Sequence, residues 1–230
     1  MCFQNFDVVA RQILPDFFPP LFKHSQDYGG ENLKSLGCQV DVLTNDNGIR
    51  KVRYVDSRSN QLVMRVDEHD YCDRIHLDDL KYVSDWANDY DAVVISDYCK
   101  GFLNEEDIKY IIENSNNVFI DTKKQLGDWI RGVDFIKINE LEHKKNFETL
   151  PNYPELEDKL IVTQGSKGCV YMGETFPVEE VSVKDVSGAG DTFLSGLVTQ
   201  YIKTQDMRKA IKFAQECTTK VVQQTGVTIV

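Results

Sequence analysis

Residues 185–191, with the sequence DVSGAGD, place small residues and a carboxylate in an order that could support phosphoryl transfer. They follow a β-prone run at 178–183, which predicts a short strand, and they precede apolar residues at helical spacing in 193–201. The stretch is therefore expected where a loop turns into a helix. Small residues at such a point let backbone amides approach an anion closely, and the helix dipole favours negative charge there.

Within this stretch, four residues have types that suit the chemistry. The backbone amides of Gly188, Ala189 and Gly190 would hold the charge that develops on a transferred phosphoryl group. Asp191, in the first helical turn, would take a proton from the attacking hydroxyl. The competing interpretation is an ordinary helix cap that follows a flexible glycine turn.

Further polar residues follow predicted strands, where functional side chains collect in α/β proteins. For each of them, a helix cap or a solvated loop residue is the alternative. They are Asp97 and Lys100, then Lys123, then Asn139 and Glu142, and then Thr163, Gly165 and Gly168.

Two of these sets carry particular chemistry. Lys100 could bind a phosphate as a mobile point charge, or it could form an ordinary surface ion pair with Asp97, three residues earlier. The segment 163–168 offers a hydroxyl and two glycines that could contact a nucleotide, or it could be a plain β-hairpin turn.

The elements around these residues alternate between strand and helix, which predicts βαβ units and an α/β fold with a parallel sheet covered on both faces. Strands are predicted at 40–44, 92–97, 118–121, 135–138 and 160–163, and helices at 31–38, 104–114 and 210–222. Two more β-prone runs, 49–56 and 61–67, flank a polar turn at 57–60 and predict a hairpin. Its arginines, Arg53 and Arg65 among them, make this hairpin a candidate lid.

Composition restricts the class of protein further. The chain has 230 residues, enough for one sizeable core, and its formal net charge of −11 argues against nucleic acid or an anionic membrane as a partner. Six scattered cysteines without a CxxC pair favour reduced thiols over disulfides or a zinc site. There is no leader pattern and no apolar run of bilayer length, so a cytoplasmic location is expected.

Residues 185–193 resemble the D-T-x-G-A-G-D-T-F signature of the ribokinase (PfkB) family of sugar kinases, with Val186 in place of the first Thr. Residues 96–101 (SDYCKG) are similar to the S-D-Y-x-K-G element of the heptose-phosphate kinase branch of that family, and 51–53 and 61–67 are similar to its lid strands. The resemblance implies a ribokinase-like three-layer α/β fold with a mainly parallel central sheet and a small β-hairpin lid. It divides the chain into a shortened N-terminal part (1–48), the β lid (49–67) and an ATP-binding core (68–230).

The same resemblance implies a reaction. The chain would transfer the γ-phosphate of ATP to a sugar phosphate, most closely D-glycero-D-manno-heptose 7-phosphate, a step towards lipopolysaccharide precursors. The implied cofactors are ATP and Mg²⁺, and the implied assembly is a homodimer formed through the lid. Because no nucleotidyltransferase segment follows Val230, only the kinase half of the bifunctional members is expected.

The resemblance also assigns roles to residues. Asp191 would be the base, and the loop at Gly188, Ala189 and Gly190 the anion hole. The residues assigned to the nucleotide and its metal are Lys123 (in a D-P-K-like segment), Asn139, Glu142 (which would support Mg²⁺), Thr163, Gly165, Gly168 and Gln215 (in an F-A-N-like segment). The residues assigned to the acceptor are Arg53, Arg65, Asp97 and Lys100.

The N-terminal third departs from this family pattern. No G-D-x-x-x-D element precedes Arg11, and the glycine-rich segment before the first helix is shortened to 29–37, so that Asn32 does not match the sugar-binding position. Two functions therefore stay open: an active carbohydrate kinase, and a catalytically impaired remnant that binds a nucleotide or a partner subunit. Turnover of a sugar phosphate with MgATP separates them.

Overall fold

Four parallel strands form the centre of the protein, and they are the ones that the alternating sequence pattern predicts. In the computed structural model, the described residues are 2–3, 8–11, 28–43, 50–56, 62–68, 70–226 and 228–230. The central strands are β6 (Ala92–Asp97), β7 (Val118–Thr122), β8 (Phe135–Asn139) and β9 (Leu160–Thr163). Each pairs in parallel with the next, so their carboxyl ends meet at one edge of the sheet.

Antiparallel strands extend this sheet on both sides to eight strands, in the order β11-β10-β9-β8-β7-β6-β2-β3. On one side, β2 (Val8–Arg11) pairs with β6 and with β3 (Gln39–Val42). On the other side, β10 (Cys169–Tyr171) and β11 (Glu174–Phe176) form a hairpin next to β9. The predicted strand at 40–44 is confirmed, whereas β2, β10 and β11 were not predicted.

Helices cover both faces of the sheet, which confirms the three-layer prediction. They are α1 (Tyr28–Ser35), α2 (Leu77–Trp86), α3 (Glu105–Glu113), α4 (Glu140–Lys145), α5 (Ala189–Thr204) and α6 (Met207–Val222). Alternate residues of β6 enter different cores: Val93 and Ile95 pack with residues of α2 and α3, and Ala92 and Val94 pack with residues of α1, α5 and α6. A strand that is buried on both sides explains the continuous apolar run that marked it in the sequence.

Sequence signals at helix ends are confirmed as well. The side chain of Asn104 caps α3 by accepting a hydrogen bond from the Asp107 amide at 2.8 Å, and the Asp107 carboxylate accepts the Asn104 amide in return. Gly37, with φ +90°, follows the end of α1. Among the described residues, every helix is too short or too polar to span a lipid bilayer.

The predicted hairpin is present as β4 (Arg50–Val55) and β5 (Leu62–Glu68), which pair in antiparallel fashion, with β1 (Cys2–Phe3) added at the β4 edge. The three strands form a sheet of their own, separate from the central one. The predicted turn at 57–60 lies outside the described residues.

One predicted strand is wrong. Residues 178–183 contain alternating β-prone residues, but the structure places them in an irregular segment, with Val183 exposed. The chain then attaches to the end of α6, because the amides of Lys184 and Asp185 both donate to the carbonyl of Val222, at 2.8 and 3.3 Å. Hydrogen bonds to a helix end thus take the place of strand pairing just before the glycine loop.

Candidate active site

The glycine loop opens helix α5 as the sequence predicts. Gly188 is the N-cap of the helix and has φ +79°, a left-handed conformation that glycine adopts without strain. Ala189 and Gly190 form the first turn of α5, where the first amides of a helix have no partner within the helix. Among the described residues, the Ala189 amide donates to the carbonyl of Val186 at 3.2 Å, whereas the amides of Gly188 and Gly190 have no partner. The start of α5 therefore presents free amides at Gly188 and Gly190 and the positive end of the helix dipole, the arrangement that binds phosphate groups.

Asp191 lies directly behind these amides and is only 4% exposed. Its Oδ1 atom accepts a hydrogen bond of 2.6 Å from the hydroxyl of Tyr98, 93 residues earlier in the chain. Burial raises the pKa of the Asp191 carboxyl, while the Tyr98 hydrogen bond and the lysines Lys137 and Lys123 partly offset that effect. A buried carboxylate with a raised pKa is suited to accept a proton near neutral pH.

Tyr98 connects this carboxylate to the loop after β6. The ammonium group of Lys123 lies 4.3 Å from the centroid of its ring, a cation–π distance. Burial, and then the neighbouring charges of Asp191 and Asp121, hold the pKa of the Tyr98 phenol well above its ordinary value. The phenol is therefore a neutral donor at physiological pH. Sequence analysis did not select Tyr98, because nothing local connects it with a carboxylate in α5.

A buried ion pair lies under the loop. Lys137 of β8 donates to Asp121 of β7 at 2.5 Å, and its side chain is 7% exposed. Burial alone would lower the pKa of Lys137, but the attraction of Asp121 outweighs it, so the pKa is raised and the lysine stays charged. Sequence analysis missed Lys137. A lysine in the middle of the otherwise apolar run FIKIN was the signal, because buried lysines are rare unless paired.

The structure contradicts the alternative interpretation of Lys100 as an ion-pair partner of Asp97. Asp97 does not pair with Lys100; its Oδ2 atom accepts from the Thr122 hydroxyl at 2.8 Å and from Lys124 at 2.5 Å. Lys100 instead pairs with Asp70. The cause is the backbone at Cys99, whose φ of +58° turns the chain immediately after β6, while the Cys99 amide donates to Asp97.

An open cleft of about 580 Å³ adjoins this group of charges. Lys100 and Lys124 supply its cationic side chains, and the start of α3 supplies Glu105 and Glu106. The residues that line it are Tyr71, Cys99, Lys100, Gly101, Leu103, Asn104, Glu105, Glu106 and Lys124.

The Asn139–Glu142 segment forms a capping box at the start of α4. The Glu142 amide donates to Asn139 at 2.9 Å, and the Asn139 amide donates to Oε2 of Glu142 at 2.8 Å. Asn139 and Glu142 therefore do cap α4, which was the alternative interpretation of both residues. The second oxygen of Glu142 accepts no hydrogen bond from the described residues, so one carboxylate oxygen is available.

This donor fits a magnesium ion. Mg²⁺ binds oxygen ligands and usually takes only one or two carboxylates, with phosphates and waters as its other ligands. Within the described part of the chain, no three or more His, Cys, Asp and Glu side chains converge into a complete metal site. A metal that keeps most of its ligands on phosphate and water needs no such cluster.

The segment 163–168 adopts the hairpin alternative, since it joins β9 to the antiparallel β10, and the amide of Gln164 donates to the carbonyl of Gly168 at 2.7 Å. The Thr163 hydroxyl donates to the carbonyl of Ile138 at 3.3 Å, and Gly165 lies in the turn. Gly168 has φ +92°, and a Cβ atom there would lie 1.9 Å from the carbonyl oxygen of Phe176. Only glycine fits at that position.

The remaining residues assigned from the sequence lie on two other elements. Gln215, on α6, is buried and donates to the carbonyl of Phe176 at 2.6 Å. Arg53 of β4 and Arg65 of β5 are direct partners across the hairpin, and Arg65 also pairs with Asp67 at 2.9 Å. The five cysteines whose side chains are described are free thiols, as expected.

Comparisons with known proteins agree with this architecture. The model of the pfkB family of carbohydrate kinases matches residues 31–230. A bifunctional protein HldE from Nitratiruptor sp. is 32% identical over 216 residues, which cover 85% of this chain and 46% of that protein. The crystal structure of a ribokinase from Thermotoga maritima superposes with a TM-score of 0.60 at 19% identity, covering 78% of this chain and 65% of the other. Phosphofructokinase-2 from Escherichia coli superposes with a TM-score of 0.65 at 12% identity, covering 96% and 92%.

Together with the fold and the loop at α5, these matches define the class: the chain belongs to the PfkB family of carbohydrate kinases. Its sheet and helices are those of a ribokinase-like fold. Its curated relatives include HldE bifunctional proteins, and the chain spans about half of their length.

Proposed function

We propose that this protein transfers the γ-phosphate of ATP to a hydroxyl of a sugar phosphate, most closely D-glycero-D-manno-heptose 7-phosphate. The observation that carries the proposal is the buried Asp191 carboxylate, which follows the free amides of Gly188 and Gly190 in the first turn of α5. Family membership supports the reaction class. The resemblance to heptose-phosphate kinases and the similarity to proteins named HldE support the acceptor.

In this proposal the acceptor hydroxyl attacks the γ-phosphorus. Asp191 accepts the hydroxyl proton while the bond between the new oxygen and phosphorus forms and the bond from the γ-phosphorus to its bridging oxygen breaks, so that ADP leaves. The amides of Gly188 and Gly190 stabilise the charge on the transferred group, and the Ala189 amide joins them by exchanging its bond to the Val186 carbonyl for one to the phosphate. The raised pKa of Asp191 makes the carboxylate a better proton acceptor than an exposed aspartate.

We assign nucleotide binding to six residues: Lys123, Asn139, Thr163, Gly165, Gly168 and Gln215. Glu142 would hold Mg²⁺ through its available oxygen or through water. When bound, the metal supplies charge neutralisation for the phosphate groups. Lys137, although paired with Asp121, adds a fixed positive charge under the loop.

We assign acceptor binding to residues of the candidate lid and the cleft. Arg53 and Arg65 occupy directly opposite positions of β4 and β5, and Lys100 and Lys124 line the cleft. Arg65, Lys100 and Lys124 pair with Asp67, Asp70 and Asp97 in this structure, so an acceptor phosphate would bind by sharing these cations or by displacing the carboxylates.

The reaction is tested by measuring ADP release from MgATP over a panel of sugar phosphates that includes heptose 7-phosphate. Asp191→Asn should lower phosphoryl transfer by roughly 10²–10⁴-fold, the usual contribution of a general base, while ATP still binds. The matched control is Asp206→Asn, because Asp206 also lies at a helix N-terminus, where it caps α6. Normal turnover in Asp191→Asn would remove Asp191 from the mechanism.

The lid also supports a proposal about assembly. Tyr54 and Met64 are direct partners across the hairpin, so they share one face of it, and each is at least half exposed; a second copy of the chain would cover them. Sedimentation at increasing concentration should then show a dimer that Met64→Lys dissociates, while Val63→Lys, on the opposite face, should leave it intact. A wild-type chain that stays monomeric at all concentrations would exclude assembly through the lid.

A second candidate function is a nucleotide-binding protein with poor catalysis. It is favoured by Asn32, whose amide donates to the Thr192 hydroxyl at 3.3 Å and whose oxygen accepts the Val230 amide at 3.1 Å. Both ends of the buried Asn32 amide group therefore form structural hydrogen bonds next to the candidate site. Calorimetry with MgATP, together with the transfer assay, separates the candidates: binding without turnover supports the remnant, and ordinary turnover supports the kinase.

A further inference from the structure

We propose that Tyr98 is a positioning residue for the Asp191 base: its hydroxyl fixes one carboxylate oxygen, so that the other oxygen faces the acceptor. This inference rests on the proposed function. It stands on the 2.6 Å hydrogen bond from the Tyr98 hydroxyl to Oδ1 of Asp191. Within the described residues, no other group donates to that carboxylate, so Oδ2 is left for the substrate hydroxyl.

A carboxylate that accepts no hydrogen bond can rotate about its terminal bond, and the Tyr98 hydrogen bond restricts that rotation in Asp191. Asp191 lies on α5, whereas Tyr98 lies in the loop that follows β6, so the bond fixes the base relative to the sheet. The Tyr98 ring is itself fixed, because Lys123 packs over it. Positioning of this kind matters because a small misplacement of a reacting group costs much of its effective concentration.

Tyr98 keeps its own proton throughout the reaction. A buried phenol next to the carboxylates Asp191 and Asp121 does not ionise at physiological pH, so it donates a hydrogen bond and does not compete as the base. The proton of the acceptor hydroxyl goes to Oδ2 of Asp191, which becomes a carboxylic acid and then releases the proton to water. No charge accumulates on the tyrosine.

The groups around Asp191 determine in which direction its pKa moves when the Tyr98 hydroxyl is removed. Asp121 from β7 disfavours the ionised carboxylate, while Lys137 from β8, Lys123 from the loop after β7 and the Tyr98 hydroxyl favour it. Loss of the hydroxyl therefore raises the pKa of Asp191. Because the base must be ionised, the acidic limb of the rate profile moves to higher pH.

The test is Tyr98→Phe in the full chain, which removes the hydroxyl and keeps the ring under Lys123. We expect kcat to fall about 10-fold or more at its plateau, with the KM for the acceptor unchanged. We also expect the midpoint of the acidic limb to rise by about one pH unit. Unchanged kcat and an unchanged midpoint would overturn the proposal.

Tyr90→Phe is the matched control. The Tyr90 hydroxyl donates to Asp41 at 2.6 Å, the same kind of bond at the same length, but it lies before β6, at the far end of that strand from Tyr98. This variant should keep the wild-type kcat and pH profile. An equal loss in Tyr90→Phe would mean that any tyrosine–carboxylate bond has this effect through stability alone, and would overturn the positioning role.

A carbon-13 titration of the Asp191 carboxyl gives a measurement that does not need turnover. The resonance is identified by its loss in Asp191→Asn, and its midpoint should move to higher pH in Tyr98→Phe but not in Tyr90→Phe. If no sugar phosphate is turned over, the proposed function fails while this titration still decides the role of Tyr98. If Tyr98→Phe does not fold, the Tyr98 phenol of the wild-type protein is titrated instead, and ionisation below pH 9 would refute a neutral donor.

Discussion

The Nζ atom of Lys137 lies 3.1 Å from the point where a Cβ atom on Gly190 would stand. The loop that opens α5 therefore rests directly on a buried lysine, and the Lys137–Asp121 pair extends the contact into the sheet. Glycine is needed at position 190 for space, since its backbone is helical. The second glycine of the loop, Gly190, thus has a packing reason as well as a chemical one.

Gly190→Ala should lower kcat/KM for ATP about 10-fold with little change in melting temperature. The added methyl group forces Lys137 to shift and displaces the first turn by a fraction of an ångström, which disturbs phosphate positioning. Thermal unfolding and the transfer assay check the two parts. Gly196→Ala is the contrasting variant on the same helix: its Cβ would lie 3.0 Å from the Ala214 backbone in α6, so it should lower the melting temperature. A large loss of stability in Gly190→Ala would contradict this prediction.

Asp191→Asn should stabilise the fold at pH 7 while it removes activity. Burial raises the pKa of Asp191 in the folded state, so the wild-type contribution is most favourable below the unfolded pKa and is lost as pH rises through the folded value. The melting temperature of Asp191→Asn should therefore exceed that of wild type by an amount that grows from pH 4 to pH 7. Each kcal/mol of added stability should raise the melting temperature by about 2–4 °C.

Asp206→Asn tests the sign of this dependence. The amide and side chain of Lys209 lower the pKa of the exposed Asp206, so its stabilising contribution is present at pH 7 and is lost as pH falls through the folded value. This variant should be slightly less stable than wild type at pH 7, and the difference should vanish in acid. Parallel trends in the two variants would contradict the assignment.

Lys137→Met should destabilise the protein by about 3 kcal/mol, because it leaves Asp121 as an unpaired and largely buried charge. Urea unfolding measures the loss. Adding Asp121→Asn to Lys137→Met should recover part of the stability, since the double variant has no orphaned charge. Arg208→Met is the control at an exposed pair: Arg208 and Glu174 are 59% and 47% exposed, so the loss of stability should be much smaller than in Lys137→Met.

Arg65→Gln should raise the KM for the sugar phosphate about 10-fold and leave the KM for ATP unchanged, because the lid is expected to contact the acceptor only. Steady-state kinetics with each substrate varied in turn checks this. Arg131→Gln is the control, since Arg131 is an exposed arginine that pairs with Asp128 and Glu155. A rise in both constants, or in neither, would remove Arg65 from the acceptor site.

Local patterns predicted the central fold because burial on both faces leaves a continuous apolar run in each parallel strand. The run 92–97 gave β6 directly, and the sequence DVSGAGD gave the start of α5. Strand β2 was missed because its pairing partners, β3 and β6, are distant in sequence and leave no local mark. The β10–β11 hairpin did have a signal in the sequence, which is Gly173 between two short β-prone runs. In the structure, Met172 and Gly173 form the two-residue turn and both have positive φ.

The site was predicted less completely than the fold. Asp191 and its loop followed from residue type and position, but Tyr98 and Lys137 act through contacts between separate elements. The alternative interpretation, an ion pair between Asp97 and Lys100, is wrong because spacing in the chain does not specify backbone direction. The left-handed conformation of Cys99 sends Lys100 to Asp70, and Lys124 from the loop after β7 takes its place.

Nine consecutive residues of α5, 191–199, are buried, so neighbouring elements enclose this part of the helix on every side. The helix that carries the loop amides is therefore fixed in the fold before any phosphate arrives. An anion that binds there immobilises little that was free to move, and the entropic penalty of binding falls mainly on the ligand. Changes in sugar preference are then to be sought in the hairpin and the cleft, since the phosphate end of the site has almost no room to vary.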